Sequence, residues 1–190
     1  MPLDLDILYF FNRTIAGPSF DPIVVALTTF KTWIPVYVIA AGLLIYYKRW
    51  LGVRIIISTM LLAGVLDLST NRILKPVVAR ERPCNVQPSI EWLRLPNGTR
   101  SGFSFPSSHA VNNFGAAVFL IVLFSNRKWV YSLLLVAAIV AATRMYLGLH
   151  YPSDTIGGAI LGAFIGFWWA KLYSWFENRF FETSSTPKTL

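Results

Sequence analysis

Charge and sulfur are scarce in this chain. Its single cysteine, Cys84, excludes an intrachain disulfide and leaves too few thiolates for a Cys-based zinc site or an iron–sulfur cluster. Charged residues make up 14% of the 190 residues against a hydrophobic fraction of 55%. With a mean hydropathy of +0.53, that is too little charge to cover a water-soluble surface and too much apolar matter for disorder. Acidic residues are scarcest, nine against seventeen Lys and Arg, and the net charge of +8 asks for an anionic partner. In so apolar a chain that partner is a lipid rather than nucleic acid. No basic n-region precedes the first apolar stretch: Asp4 and Asp6 stand there, and Ile7 to Phe11 is short, so no cleavable signal peptide is expected.

What the chain has in abundance is apolar runs between short polar punctuation, enriched in Trp, Tyr and Phe. The pattern predicts an all-α fold, a polytopic transmembrane helical bundle of five to six spans in a single domain over residues 1–190. Residues 4–16 read as an interfacial helix. From Pro22 to Tyr47 the chain is apolar apart from a polar knot at Thr28, Thr29, Lys31 and Thr32, with Pro35 just beyond. That stretch is either one kinked helix or a short helix followed by a span over Trp33 to Tyr47, which leaves the sixth span open. Segments 52–75, 109–125, 129–147 and 154–176 each approach the ~20 residues a bilayer core requires. Residues 76–108, between the second and third assigned spans, contain no apolar run long enough to cross and form an extramembrane loop. Residues 183–190 are a polar tail. Gly158, Gly162 and Gly166 share one face of the last span; they either let another helix approach closely or are simply glycines an apolar helix tolerates. Alternating sides places loops 48–54 and 126–128 and the C-terminus on one membrane face, and loops 76–108 and 148–153 on the other.

Ionisable residues at span ends are expensive, and three clusters of them fall on that second face. They are Lys75 to Pro83, with Arg80, Glu81 and Arg82; Pro106-Ser107-Ser108-His109; and Thr143-Arg144, followed by His150 and Asp154. Taken singly each has a plain explanation: snorkelling cations, a serine helix cap, histidines satisfied by backbone. Their convergence, with both of the chain's histidines included, favours a phosphoryl site. Lys75, Arg82 and Arg144 match the charge of a phosphate dianion, Ser107 adds a hydroxyl, and the first N–H groups of the helix opening at Ser107 to His109 point at the same anion. Two histidines and a carboxylate then suffice for two-step hydrolysis without a metal or other cofactor.

Lys75-x6-Arg82-Pro83, Pro106-Ser107-Ser108-His109 and Thr143-Arg144-x5-His150-x3-Asp154 resemble, in order and internal spacing, the three signature motifs of the type-2 phosphatidic acid phosphatase superfamily. Two positions depart from the usual form, Ser108 in place of Gly and Thr143 in place of Ser. The resemblance implies that His150 is the nucleophile forming a phosphohistidine, Asp154 its orienting partner, and His109 the acid that protonates the leaving group. It implies phosphate binding by Lys75, Arg82, Ser107, Arg144 and, through its backbone N–H, Ser108. Asp67, Asn71 and Lys75 recur at intervals of four on one helix face, with Arg72 or Lys75 as the expected partner of Asp67. Asn112 and Asn113, three and four residues after His109, either orient it or serve a purely structural role in gluing helices together. Arg80 reads as a headgroup contact, and Trp92, Arg94 and Arg100 as headgroup-reading residues of the loop.

These features lead to a metal-independent lipid phosphatase acting on a bacterial envelope lipid, either undecaprenyl pyrophosphate or the 1-phosphate of lipid A. Phosphatidylglycerol phosphate and phosphatidic acid are alternative substrates. An anion transporter or a lipid-binding scaffold is the alternative outside enzymes, and neither requires two histidines with an Asp at nucleophile spacing. Counting Lys and Arg gives eight on the face of loops 48–54 and 126–128 and seven on the catalytic face; setting aside Lys75, Arg82 and Arg144 as phosphate ligands leaves eight against four. That bias predicts a plasma-membrane protein with its active site on the periplasmic or exterior side.

Overall fold

The computed structural model describes residues 2–86 and 89–181, all of whose regular elements are helical. The polar tail at 183–190 lies outside the described residues. Helix α1 (Pro2–Tyr9) continues through a wide turn over Phe10–Thr14. Helix α2 (Asp21–Thr28) is followed by α3 (Phe30–Lys48), α4 (Trp50–Val78), α5 (Ser108–Leu123), α6 (Lys128–Tyr146) and α7 (Pro152–Phe180). Helices α3, α4, α6 and α7 are long and apolar enough to cross a membrane; α5 is apolar but shorter. At sixteen residues α5 spans about 24 Å.

The polar knot resolves into a break: Thr29 is extended between α2 and α3, so a short helix precedes the span, which starts at Phe30 with Pro35 inside it. At eight residues, α2 reaches about 12 Å and cannot cross a bilayer. Among the described residues, four helices are thus long enough to cross, and the shorter apolar α5 runs between the same two ends of the bundle. Asn12 of the N-terminal segment donates to the carbonyls of Tyr146 and Arg94 (2.7 and 2.9 Å), which docks that segment on the C-terminal end of α6.

The core lies where α4, α5 and α7 meet, around Leu62, Leu66, Val111, Phe119 and Ala170. Helices α5 and α7 form the most extensive helix pair. Glycine makes this possible: a Cβ at Gly162 would lie 2.2 Å from the Val111 carbonyl oxygen, and one at Gly166 2.2 Å from that of Gly115. Gly158 would likewise meet Ser107 at 2.8 Å. The stripe is thus a line of backbone contact. Outward-facing Ile160, Phe164, Trp168, Leu172 and Trp175 remain exposed on α7, as a lipid-facing surface requires.

Candidate active site

Close packing of α5 on α7 places the start of each helix beside the other. The Ser107 N–H, just before α5, donates to the Asp154 carbonyl in the first turn of α7 (3.0 Å). Residues 147–151 reverse the chain between α6 and α7. Gly148 adopts φ +69°, and a Cβ there would sit 2.7 Å from the Arg94 carbonyl oxygen. The Leu149 N–H returns to the Arg144 carbonyl (3.1 Å), so His150 comes back over the end of α6.

A cavity of about 410 Å³ opens at this end of the bundle. Lys75 of α4, Ser108 and His109 of α5, Arg144 of α6, and Arg82 and His150 of the loops line it. The remaining wall comes from Thr28, Thr29 and Phe30 at the α2–α3 break and from Asn97, Arg100 and Ser101 of the long loop. Four cations, Arg100 among them, and two histidines so confined fit a multiply charged anion. The Arg144 guanidinium is held by a hydrogen bond from Nη1 to the Thr28 hydroxyl, while its buried Nε has no protein partner and can still donate.

His150 is almost fully buried. Arg82 Nη1 lies 3.0 Å from His150 Nε2. A guanidinium only donates, so Nε2 is the acceptor and the proton of a neutral ring resides on Nδ1. Nδ1 faces Asp154 Oδ2 at 3.5 Å, longer than a good hydrogen bond, and has no other partner. Burial pushes the imidazole down to about 4; the Asp154 carboxylate opposes this, while the charges of Arg82 and Arg144 add to it. The ring is therefore neutral at physiological pH, with its Nε2 lone pair toward the cavity wall of cations. That is the state a nitrogen nucleophile needs.

Asp154 is wholly buried, and an unpaired carboxylate there would cost several kcal/mol. Three donors surround it. Arg80 Nη1 donates to Oδ1 (2.7 Å), the Tyr151 N–H donates to Oδ2 (2.8 Å) in the manner of a helix cap, and His150 Nδ1 faces the same Oδ2. Arg80 also binds Ser153 Oγ and Asp4 and stacks over the Tyr151 ring. Burial tends to raise the Asp4 carboxyl, but hydrogen bonds from Ser153 and Arg80 outweigh it and hold the group below the usual carboxylate range.

Lys75 is fixed from the opposite side. Its Nζ donates to Asn71 Oδ1 (2.8 Å) and Ser108 Oγ (2.9 Å), the Ser108 hydroxyl donates to the same Asn71 oxygen (3.0 Å), and Asn71 Nδ2 donates to Asp67. The side chain at the position where a glycine is usual is thus turned toward the lysine. It leaves the N-terminal N–H groups of α5 free of side-chain capping.

Lys75, Arg82, Ser108, His109, Arg144 and His150 meet at one cavity, with Asp154 directly behind His150. Ser107 does not line it: the residue is fully buried and its hydroxyl has no partner. Several expectations for supporting residues change. Arg80 is an internal ion-pair residue rather than a headgroup contact, because the buried Asp154 and the half-buried Asp4 carboxylates both claim its guanidinium. Arg94 pairs with Asp21, and Trp92 packs edge-on against Tyr9, so both secure the N-terminal segment; Arg100 is the one of the three that reaches the cavity. Asp67 meets Asn71 rather than Arg72 or Lys75 directly. Asn113 donates to the His109 carbonyl and Asn112 Oδ1 is unpaired, so neither orients the imidazole. Thr143 returns its hydroxyl to the Val140 carbonyl (2.6 Å). The polar knot at Thr28 and Thr29 was legible as a helix break but not as cavity wall, and nothing local marks Asp4, whose partners lie more than seventy residues away.

Comparison with known proteins gives a consistent answer. Residues 52–178 match the family described as PAP2 superfamily. Over 167 residues the chain is 38% identical to the lipid A 4'-phosphatase of Bacteroides thetaiotaomicron, covering 86% of this chain and 74% of that protein. It is 36% identical to the undecaprenyl-diphosphatase of Sulfolobus acidocaldarius over 137 residues, 71% of this chain and 60% of that one. The crystal structure of a transmembrane PAP2-type phosphatidylglycerolphosphate phosphatase from Bacillus subtilis superposes with a TM-score of 0.68 at 28% identity, covering 94% of this chain and 88% of that one.

Proposed function

We propose, from the premise that this chain belongs to the PAP2 superfamily of lipid phosphatases and is a multi-pass membrane protein, that it removes a phosphate monoester from lipid A through a phosphohistidine at His150. The observation that carries the chemistry is the juxtaposition of a neutral, buried His150 with Asp154 on one ring nitrogen and the cation-lined cavity on the other. Lys75, Arg82 and Arg144, with the free N–H groups of Ser108 and His109, bind the phosphoryl oxygens. Those oxygens take over the Arg82 donor that now meets Nε2, and the freed lone pair attacks phosphorus. As the P–N bond forms and the P–O bond breaks, Asp154 stabilises the positive charge on the ring and His109 protonates the departing alkoxide. Water then attacks the phosphohistidine with His109 as base, releasing inorganic phosphate.

Identity over most of the chain to a lipid A phosphatase supports the choice of lipid A. A second reading, a polyprenyl diphosphate, draws support from the undecaprenyl-diphosphatase relative and from Arg100, a fourth cation on the cavity wall suited to a second phosphate. Phosphate release by purified protein from a detergent panel of lipid A, undecaprenyl pyrophosphate, phosphatidylglycerol phosphate and phosphatidic acid tests the choice. The highest kcat/KM on lipid A is expected; a preference for any of the others overturns the lipid A reading. The His150→Ala variant is expected to fold and to lose turnover, and retention of more than a few per cent of activity refutes the nucleophile. Turnover is expected to survive excess chelator, since three cations supply the charge neutralisation a divalent ion would provide. Loss restored by added metal contradicts that mechanism.

A further inference from the structure

We propose that Asp4 and Arg80 are positioning residues of the phosphoryl-transfer reaction, acting through Asp154 on the nucleophile, so that the N-terminal helix is a working part of the active site. The inference rests on His150 and Asp154 having the roles given above.

The guanidinium of Arg80 is claimed on every side. Nη1 donates to Asp154 Oδ1 (2.7 Å) and to Ser153 Oγ (2.6 Å), Nη2 donates to Asp4 Oδ2 (2.9 Å), and its central carbon lies 4.0 Å from the Tyr151 ring centroid. Its backbone is fixed as well: Ala79 turns the chain at φ +50°, and the Arg80 carbonyl accepts the Ser104 N–H (2.8 Å). Asp4 in turn grips the start of α7, accepting from the Ser153 N–H (2.9 Å) and the Ser153 hydroxyl (2.6 Å). The two oxygens of Asp154 are therefore held from opposite sides, Oδ1 by Arg80 and Oδ2 by the Tyr151 N–H. What remains available on Oδ2 faces His150.

Charge argues the same way. Asp154 helps the reaction by stabilising the imidazolium that develops as Nε2 attacks. An Arg80 balanced by Asp154 alone would draw that carboxylate toward itself and weaken its hold on the ring. Asp4 takes half of the fork. A bidentate arginine between two carboxylates suits this task better than a lysine, a point charge without the fork or the stacking face.

Asp4 is not needed merely to dock α1. Leu8 is completely buried against Met145 and Tyr151, and Asn12 bonds two backbone carbonyls of the body of the protein. Removing the Asp4 charge leaves those anchors in place, so the Asp4→Asn variant folds with its N-terminal helix attached.

The test is steady-state phosphate release from lipid A by the full-length protein, comparing Asp4→Asn, Asp4→Glu, Asp154→Asn, the Asp4→Asn/Asp154→Asn pair and His150→Ala. Asp4→Asn is expected to lower kcat roughly tenfold while KM and the inhibition constant of inorganic phosphate stay within about twofold, because the phosphate ligands are untouched. Asp4→Glu is expected to recover most of kcat. In the Asp154→Asn background, where the intermediary is gone, Asp4→Asn is expected to cost less than about twofold. A wild-type kcat for Asp4→Asn, an equal penalty in both backgrounds, or a loss shared by KM and phosphate inhibition overturns the proposal. His150→Ala separates the levels: if it is inactive and Asp4→Asn is indifferent, this inference alone fails, whereas an active His150→Ala removes the site assignment on which it rests.

Discussion

As the proposed nucleophile, His150 must be unprotonated and yet sit among the cations proposed to hold the phosphate. Burial and the neighbouring guanidinia reconcile the two demands, because both disfavour a proton on the ring and bring it to about 4. The sign of the consequence follows from linkage. The folded-state value lies below the ordinary 6.5, so on acidification from about 6.5 to about 4 the unfolded chain takes up a proton that the folded protein refuses, and stability declines across that window. In a His109→Asn variant, which leaves one histidine, ring nitrogen NMR in detergent is expected to show His150 still neutral at pH 5. Titration near 6.5 would contradict the buried environment. At this scale the three spaced motifs made the cavity legible from sequence, since each catalytic-type residue carries its chemistry in its own identity. The supporting residues were not legible in the same way. Whether Arg80 faces lipid or Asp154, and whether the Ser108 hydroxyl faces the cavity or Lys75, depends on side-chain direction, which spacing leaves open.

Helices carry the next level of the account. Apolar runs marked the four long helices and the shorter α5, with ends displaced by a few residues where a helix continues beyond its apolar run, as at Lys75–Val78 and Arg179–Phe180. The glycine stripe was visible in the sequence but its meaning was not, because a Gly-x3-Gly repeat says nothing about what faces it. The structure supplies the partner: the α5 backbone, which the stripe brings close enough to join the Ser107 N–H to the Asp154 carbonyl. Gly162→Ala is expected to force these helices apart and lower stability by about 1–3 kcal/mol, read as a fall in Tm in detergent, with activity falling alongside. Gly64→Ala, where an added Cβ meets nothing within 4 Å, is expected to change stability by less than about 0.5 kcal/mol. Equal effects at the two positions would refute the close-contact role of the stripe.

For the whole molecule, the cavity, the long loop and the N-terminal segment share one end of the bundle, and the α3–α4 turn and residues 124–128 share the other. We propose that the cavity end faces the exterior or periplasmic side; with Arg13 and Lys31 placed at that end, the lysine and arginine bias among the described residues narrows to seven against six once Lys75, Arg82 and Arg144 are set aside as phosphate ligands. Cys84 is a poor reporter of this, being half-buried against Leu147 and Leu149. Thr99→Cys in a Cys84→Ser background places a thiol at an exposed loop position that is not itself part of the cavity wall. A membrane-impermeant maleimide is expected to label it in intact spheroplasts; labelling confined to broken membranes would reverse the orientation.

The chemistry itself is tested most directly by trapping the covalent intermediate. Full-length enzyme mixed with lipid A carrying a radioactive phosphate, stopped in alkali within one turnover and digested, is predicted to yield an acid-labile, base-stable phosphohistidine in the peptide containing His150, and none from His150→Ala. Label on His109, or rapid phosphate release with no labelled peptide at any time within the turnover, would contradict the mechanism.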